Sequence, residues 1–326
     1  EISIVDGKAE MAFVGDRSKI WHGLGQELSR SSSIEVWQKE SGMNWDIHES
    51  DLVYNVEAED GQRSFEGKKV LFRSDNKEPL AVVGSKYKLV QPKEVLEFFR
   101  DLVSDSGMEL STAGVLFSGR QFWALADAKQ SIRFDNGDTI NGYVLLNTSC
   151  DGSMSTTAQF TSTRVVCNNT LNIALNGSTK GASINRISTS HRTEFQPNLV
   201  KSSLGIYESS WDKFSKQMRS LAEVKLSAKD AYNNILSLVS DDVGDPSKAE
   251  IKVVNDIHSL FLGGGMGADL AGKTAYGLIN AFTEYNDYNT GRNPSRRLQS
   301  QFWGPGSKSK QAAFEYITKK YSAVEV

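Results

Sequence analysis

From residue 45 to residue 83, apolar and polar side chains alternate in short runs broken by turn residues. Alternation puts every second side chain on one face of an extended chain, so these runs predict strands. Runs at 52–57 and 64–69 flank Asp60-Gly61, and runs at 70–73 and 80–83 flank Ser74-Asp75-Asn76, so hairpin follows hairpin. The period then changes. Pro92 stands at the first turn of a helix predicted over 93–103, on which Val95, Leu96, Phe98, Phe99 and Leu102 form one apolar stripe. Beyond it alternation resumes. Strands at 114–117 and 121–126 turn at Ser118-Gly119, and strands at 131–134 and 139–146 turn at Asn136-Gly137.

The stretch 142–175 holds the densest signals. Strands at 143–149 and 154–161 meet at Asp151-Gly152, a pair that supplies the positive φ angles of a tight two-residue hairpin turn. The hairpin is predicted to run into a helix over 164–175, with Arg164, Cys167, Asn168 and Asn169 at the junction. A cation and two amides there either cap the helix and pair with a carboxylate, or form a site for phosphate or bases.

The remaining chain sorts into four segments. Residues 1–44 read as a docking segment: a loop-like tail through Gly15, Trp21-His22 before Gly23-Leu24-Gly25, and a short helix from Ser33 to about Ser41. Residues 45–176 read as an α+β core. Residues 177–198 read as a flexible basic loop in which Lys180, Arg186, His191 and Arg192 meet one acid, Glu194. From 199 to 326, apolar residues recur at helical spacing over 199–224, 228–239, 247–262, 274–288 and 310–321. Ser227 with Asp230, and Asp245-Pro246, supply helix starts. Between the last two helices, 289–310 is a basic arm: Arg292, Arg296, Arg297, Lys308 and Lys310 stand without an acid, and Phe302 and Trp303 are interleaved. Such an arm either grips a nucleic-acid backbone or packs on a neighbouring subunit. The expected fold class is α+β, an antiparallel β-meander with packed helices followed by an α-helical C-terminal region.

Composition narrows the chemistry. At 326 residues, 39% hydrophobic, the chain can bury one large core or two ordinary ones. No run approaches the roughly 20 apolar residues of a membrane span, and residues 1–15 lack the order of a secretory signal. The expectation is a protein of the host cytoplasm, with no membrane partner and with Cys150 and Cys167 as reduced thiols. A net charge of −3 means that any nucleic-acid surface is local. His22, His48, His191 and His258 are scattered without metal-ligand spacing, so no metal or other cofactor is expected. Residues 267–274, GADLAGKT, formally match the phosphate loop GxxxxGK[ST]. That loop follows a buried strand, however, and Ile251, Val254, Ile257 and Phe261 recur at helical spacing just before it.

Three motifs, in order along nearly the whole chain, carry a resemblance. Trp21-His22-Gly23-Leu24-Gly25, Arg164-Val165-Val166-Cys167-Asn168-Asn169-Thr170, and Thr274-Ala275-Tyr276-Gly277-Leu278-Ile279-Asn280-Ala281 with Glu284-Tyr285 and Asp287 resemble the phage/plasmid-like protein family, domain of unknown function 932. Tyr276 stands where tryptophan is expected of that family, and Asn286 where an apolar residue is. The resemblance implies an origin in a mobile element and brings no activity with it. A topological analogy adds one. Single-strand annealing proteins of phage recombination use a helix, an antiparallel meander and a second helix beside a basic groove, and they assemble into rings or filaments; 93–103, 114–162 and 164–175 follow that order. The expectation is a non-catalytic single-stranded DNA binder, an annealing or recombination protein that forms a homo-oligomer. Arg120, Arg164, Arg186 and Arg192 would meet phosphates, with Lys180, Arg292, Arg296, Arg297 and Lys308 as further cations. Asn168 and Asn169 would donate hydrogen bonds, and Trp123 or Trp303 would stack on bases. Two alternatives stand beside it: an oligomeric assembly component without nucleic acid, and a nucleotide-binding enzyme using Lys273 in 267–274.

Overall fold

The alternating runs form antiparallel strands in a computed structural model that describes residues 4–5, 7–15, 25–56, 61–164, 170–172, 186–194, 204–291 and 294–323. Short strands β1 (Ile4–Val5) and β2 (Lys8–Ala9) pair with each other. The next strand, β3 (Met11–Val14), lies inside a larger sheet, parallel to β4 (Gln26–Leu28), and its Met11, Ala12 and Phe13 are buried. Where a docking tail is expected through Gly15, the chain forms a core strand. Four consecutive residues are too few to show a period, which hides it. Gly25 is fixed by this pairing: its φ is +98°, and a Cβ there would stand 2.5 Å from the Met11 carbonyl oxygen.

After α1 (Ile34–Glu40) come β5 (Ile47–Asn55), β6 (Gln62–Arg73) and β7 (Pro79–Gly84), a separate sheet in that order. The two expected hairpins exist but share one strand, since β6 pairs with β5 through Ser64 and with β7 through Val70. At the end of β6, Arg73 is buried between Glu10 at 3.0 Å and Asp75 at 2.8 Å, with its guanidinium 4.2 Å above the Trp45 ring. Helix α2 (Pro92–Ser106) opens on its proline as expected and buries Val95, Leu96, Phe98 and Phe99. Each such side chain contributes about 1.5–3 kcal/mol.

Strands β8 (Glu109–Leu116), β9 (Gln121–Arg133), β10 (Thr139–Ser149) and β11 (Thr156–Arg164) follow. The shorter strands expected here thus merge into two long ones, β9 and β10, and these divide the chain in an unexpected way. Two compact units form, one from Glu1–Lys129, Tyr143–Gln159 and Arg186–Leu204, the other from Gln130–Gly142, Phe160–Asn185 and Gly205–Val326. Both units take part of β9, β10 and β11. Loops and charge predict contiguous segments instead.

Of the helix expected over 164–175, the described residues 164 and 170–172 are strand, which corrects it there. β11 runs through Arg164, and β12 (Thr170–Asn172) returns antiparallel to it, with Ser162 opposite Leu171. Thr163 beside Arg164, and Thr170 at the start of β12, favour extended chain, since β-branched side chains are confined in a helix. Within the expected basic loop, β13 (Arg186–Thr189) pairs with Thr156–Gln159. The second unit is otherwise helical: α3 (Leu204–Glu223), α4 (Ala228–Val239), α5 (Lys248–Ser259), α6 (Ala268–Ala271), α7 (Ala275–Glu284), α8 (Pro294–Phe302) and α9 (Pro305–Tyr321). Ser227 caps α4 by accepting from Asp230 N at 3.1 Å, as expected. For α5 the cap is Ser247, in a reciprocal box with Glu250, rather than Asp245. Every residue of α7 is buried, so it forms the centre of this unit. The basic arm is corrected too, because 294–302 is helix and the last helix starts at Pro305. No helix among the described residues is long and apolar enough to cross a membrane.

Candidate nucleic-acid interface

In the first unit, three segments meet near the end of β7. The Tyr87 ring stacks on His191 with centroids 4.5 Å apart and planes 17° from parallel, and its hydroxyl donates to the Ser149 carbonyl at 3.0 Å. His191 is itself buried, with Nδ1 2.9 Å from the Lys88 carbonyl oxygen and Nε2 3.0 Å from that of Met154. Segments 85–90, 150–155 and 190–194 are thereby tied together. The turn after β10 spans 150–155, longer than the two-residue turn expected, although Gly152 has the positive φ that Asp151-Gly152 predicts. Asp151 accepts from Ser153 N at 2.9 Å, and Gln121 donates to Ser153 Oγ at 2.9 Å, which fixes the turn. Cys150 is buried beside it as a free thiol, its pKa pushed up to about 12 by burial and then by the charge of Asp151.

Over this knot lies a cleft of about 520 Å³, lined by Lys86, Arg192, Ser153, Ser155, Ser190 and their neighbours, with no carboxylate among them. Lys86 and Arg192 are exposed and have no ion-pair partner among the described residues. A larger cavity of about 1020 Å³ shares Lys86, Tyr87 and Arg192 and adds Lys69, Lys88 and Arg100 against Glu49, Glu94, Glu97 and Glu194. Three of those acids are already engaged. Lys69 lies 2.6 Å from Glu49, Lys88 lies 3.4 Å from Glu194, and Glu94 accepts from Gln91 N at 2.5 Å. Glu97 remains in the larger cavity, and Lys86 and Arg192 belong to both linings. Hydroxyls and cations without competing carboxylates suit an anionic oxygen ligand such as phosphate.

In the second unit, the expected site at Arg164 is closed. The Asn136-Gly137 turn forms as predicted, Phe134 N donating to Asp138 O at 2.9 Å, and it sets Asp138 in the interior. Arg164 donates to Asp138 Oδ2 from Nε at 2.7 Å and lies 2.6 Å from it through a terminal nitrogen. The same guanidinium donates to the Gly267 carbonyl at 2.7 Å, and Tyr276 donates to Asp138 Oδ2 at 2.9 Å. Burial pushes the Tyr276 phenol up, against the opposing pull of the Arg164 charge. Burial likewise raises Glu284, which accepts from Met266 N at 3.0 Å. The space beside this cluster is about 10 Å³, below or at the roughly 10–15 Å³ that a single water needs. Arg164 is therefore a structural cation, and its expected role as a phosphate contact is corrected.

The phosphate-loop match is likewise built for packing. Residues 267–274 follow α5 and a π-helical turn at Leu260–Gly264, not a strand. Thr274 caps α7, accepting from Gly277 N at 3.0 Å and donating to Ala271 O at 2.9 Å, so its hydroxyl is engaged. Gly277 sits directly against the Gly272 carbonyl oxygen, where a Cβ would collide.

The other predicted residues scatter. Arg120 is exposed, donates to Phe117 O at 3.1 Å, and accepts through its carbonyl from Cys150 N, so Arg120 and Arg192 both border the 150–155 turn. Trp123 is 1% exposed and belongs to the core, which overturns its role in stacking. On α8 and α9, Arg296 and Lys308 are exposed, Arg297 is half-buried, and half-buried Trp303 stacks on buried Phe302 at 6.1 Å. Lys310 is buried 2.5 Å from Asp287, and burial pulls its ammonium down against the attraction of that carboxylate. Cys167, Asn168, Asn169, Lys180 and Arg292 lie outside the described residues, and for Arg186 only the backbone is described. Sequence reasoning missed Lys86, Tyr87, Ser153 and Ser155. The signal was the basic and aromatic alternation Lys86-Tyr87-Lys88 directly after a strand end.

Residues 79–303 match the family described as Domain of unknown function (DUF932). The match covers more than half of the chain, and the protein belongs to this family. No curated protein and no solved structure matches it.

Proposed function

We propose that this protein is a non-catalytic binder of single-stranded DNA, seated by its backbone in the cleft of the first unit. One observation carries the reading: Lys86 and Arg192 are exposed, without an ion-pair partner among the described residues, in a cleft of about 520 Å³ whose own lining has serine hydroxyls and no carboxylate. Phosphate contacts position a strand without reading its sequence. Such a protein tolerates any base order, which suits a strand-annealing role in a phage or other mobile element, with homo-oligomers along the strand.

The test is a salt titration with labelled single- and double-stranded oligonucleotides. Lys86→Ala with Arg192→Ala should weaken single-strand binding alike for all base orders and lower the salt slope by about 1.4, near 0.7 for each phosphate that is no longer neutralised. Unchanged affinity and slope would remove this cleft from the interface. Failure of the unaltered protein to bind either oligonucleotide would remove the function.

A further inference from the structure

The ribbon of β5 and β6 continues beyond its sheet. From His48 to Asn55 and from Gly61 to Lys68, every residue but Leu52 is exposed. Pairing shifts along it: Asp51 opposes Lys69 but Val53 opposes Ser64, so one strand advances by two residues while the other advances by five. A bulge of that kind bends a ribbon, and Gly67, with φ +79°, lies within it. Beyond the bend the faces can be told apart, because opposed residues share a face and neighbours along a strand alternate. Tyr54 opposes Arg63 on one face, with Val53 and Ser64 on the other; Phe65 follows Ser64 in β6 at the start of the bulge, where continued alternation turns it toward the face of Tyr54 and Arg63.

Tyr54 is 47% and Phe65 50% exposed, while most large aromatics of this unit are buried. Two open rings beside a guanidinium offer faces for stacking. The base of the ribbon leads to the same place as the cleft, since Glu49 on β5 and Lys69 on β6 line the larger cavity that shares Lys86 and Arg192. We propose that the Tyr54–Arg63–Phe65 face of the ribbon is a base-stacking platform for the single strand whose backbone lies in the cleft. This rests on the reading of function above and assigns the ribbon, which lies outside the family match at 79–303, as the part that holds bases. Stacking is indifferent to base identity, so it adds affinity without sequence preference.

The experiment compares labelled oligothymidine with an abasic oligomer of equal length, using the full chain and its Tyr54→Ala/Phe65→Ala and Tyr54→Phe/Phe65→Tyr variants. The unaltered protein should prefer oligothymidine. The alanine variant should lose at least about tenfold on oligothymidine, little on the abasic strand, and keep the salt slope; the aromatic exchange should keep the preference. Because both side chains are exposed, melting temperatures should be unchanged. Equal loss on both strands, or no loss on either, would overturn the platform. A fall in particle size on light scattering with binding intact would assign the ribbon to a second copy of the chain and overturn it as well. Binding that depends on Lys86 and Arg192 but not on the two rings would sink this inference alone, whereas no binding by the unaltered protein would sink the reading it rests on.

Discussion

Arg164 directs donors to Asp138 and to a backbone carbonyl of the second unit, and the pocket it lines among the described residues is only about 10 Å³. A buried pair broken on one side leaves an uncompensated charge. Arg164→Ala and Asp138→Asn should each lower unfolding free energy by about 3–5 kcal/mol, read from urea melts, while oligonucleotide affinity per folded molecule stays as it was. A stable Arg164→Ala protein with weakened binding would return this residue to the interface. At this scale the sequence is half informative. It announces that Arg164 needs a partner, but the partner lies 26 residues away across a turn, and no local pattern pairs them. Trp123 is more legible than a stacking role allows, because Phe122-Trp123-Ala124-Leu125 is an unbroken apolar run, the mark of a strand covered on both faces.

Elements are legible where local chemistry decides them. Asn136-Gly137, Pro92 and Ser227 each act through their own backbone or the next turn, and each stands where it is expected. The β12 strand is not, because its pairing with β11 is a contact between segments and its three residues are too few to show a period. Helix α8 escapes notice for a different reason: PSRRLQSQF is mostly polar, and the apolar residues that show a helical face are few. The phosphate-loop match teaches the reverse lesson, that a motif can arise from packing. Gly277 permits α7 to approach the Gly272 carbonyl, so Gly277→Ala should cost about 1–3 kcal/mol through forced backbone shifts, with Lys273→Ala near neutral at its exposed position. Thermal melts of the two variants check this; if the lysine change were the more damaging, the loop would have a role that packing does not explain.

For the whole molecule, the interleaving of the two units is the feature that composition and periodicity do not show. Segment boundaries read from loops and charge fall near 176 and 199, yet the second unit includes residues from 130 onward. A fragment covering 199–326 lacks both Asp138 and Arg164 and the strands that hold them. Expressed alone, it should show helix by circular dichroism but no cooperative thermal transition, whereas a sharp transition would mean that the helices carry their own core.

The distance along the chain between Asp138 and Tyr276, 138 residues, is also a waiting time. At about 5–20 residues per second, a ribosome takes roughly 7–28 s to make the tyrosine after the aspartate. Arg164 arrives within roughly 1–5 s, so the ion pair can form early; the Tyr276 hydroxyl that also donates to Asp138 comes much later. During that interval Asp138 lacks its Tyr276 donor and the buried helix that carries Tyr276 is not yet made, and a chaperone that shields nascent chains would find its client there.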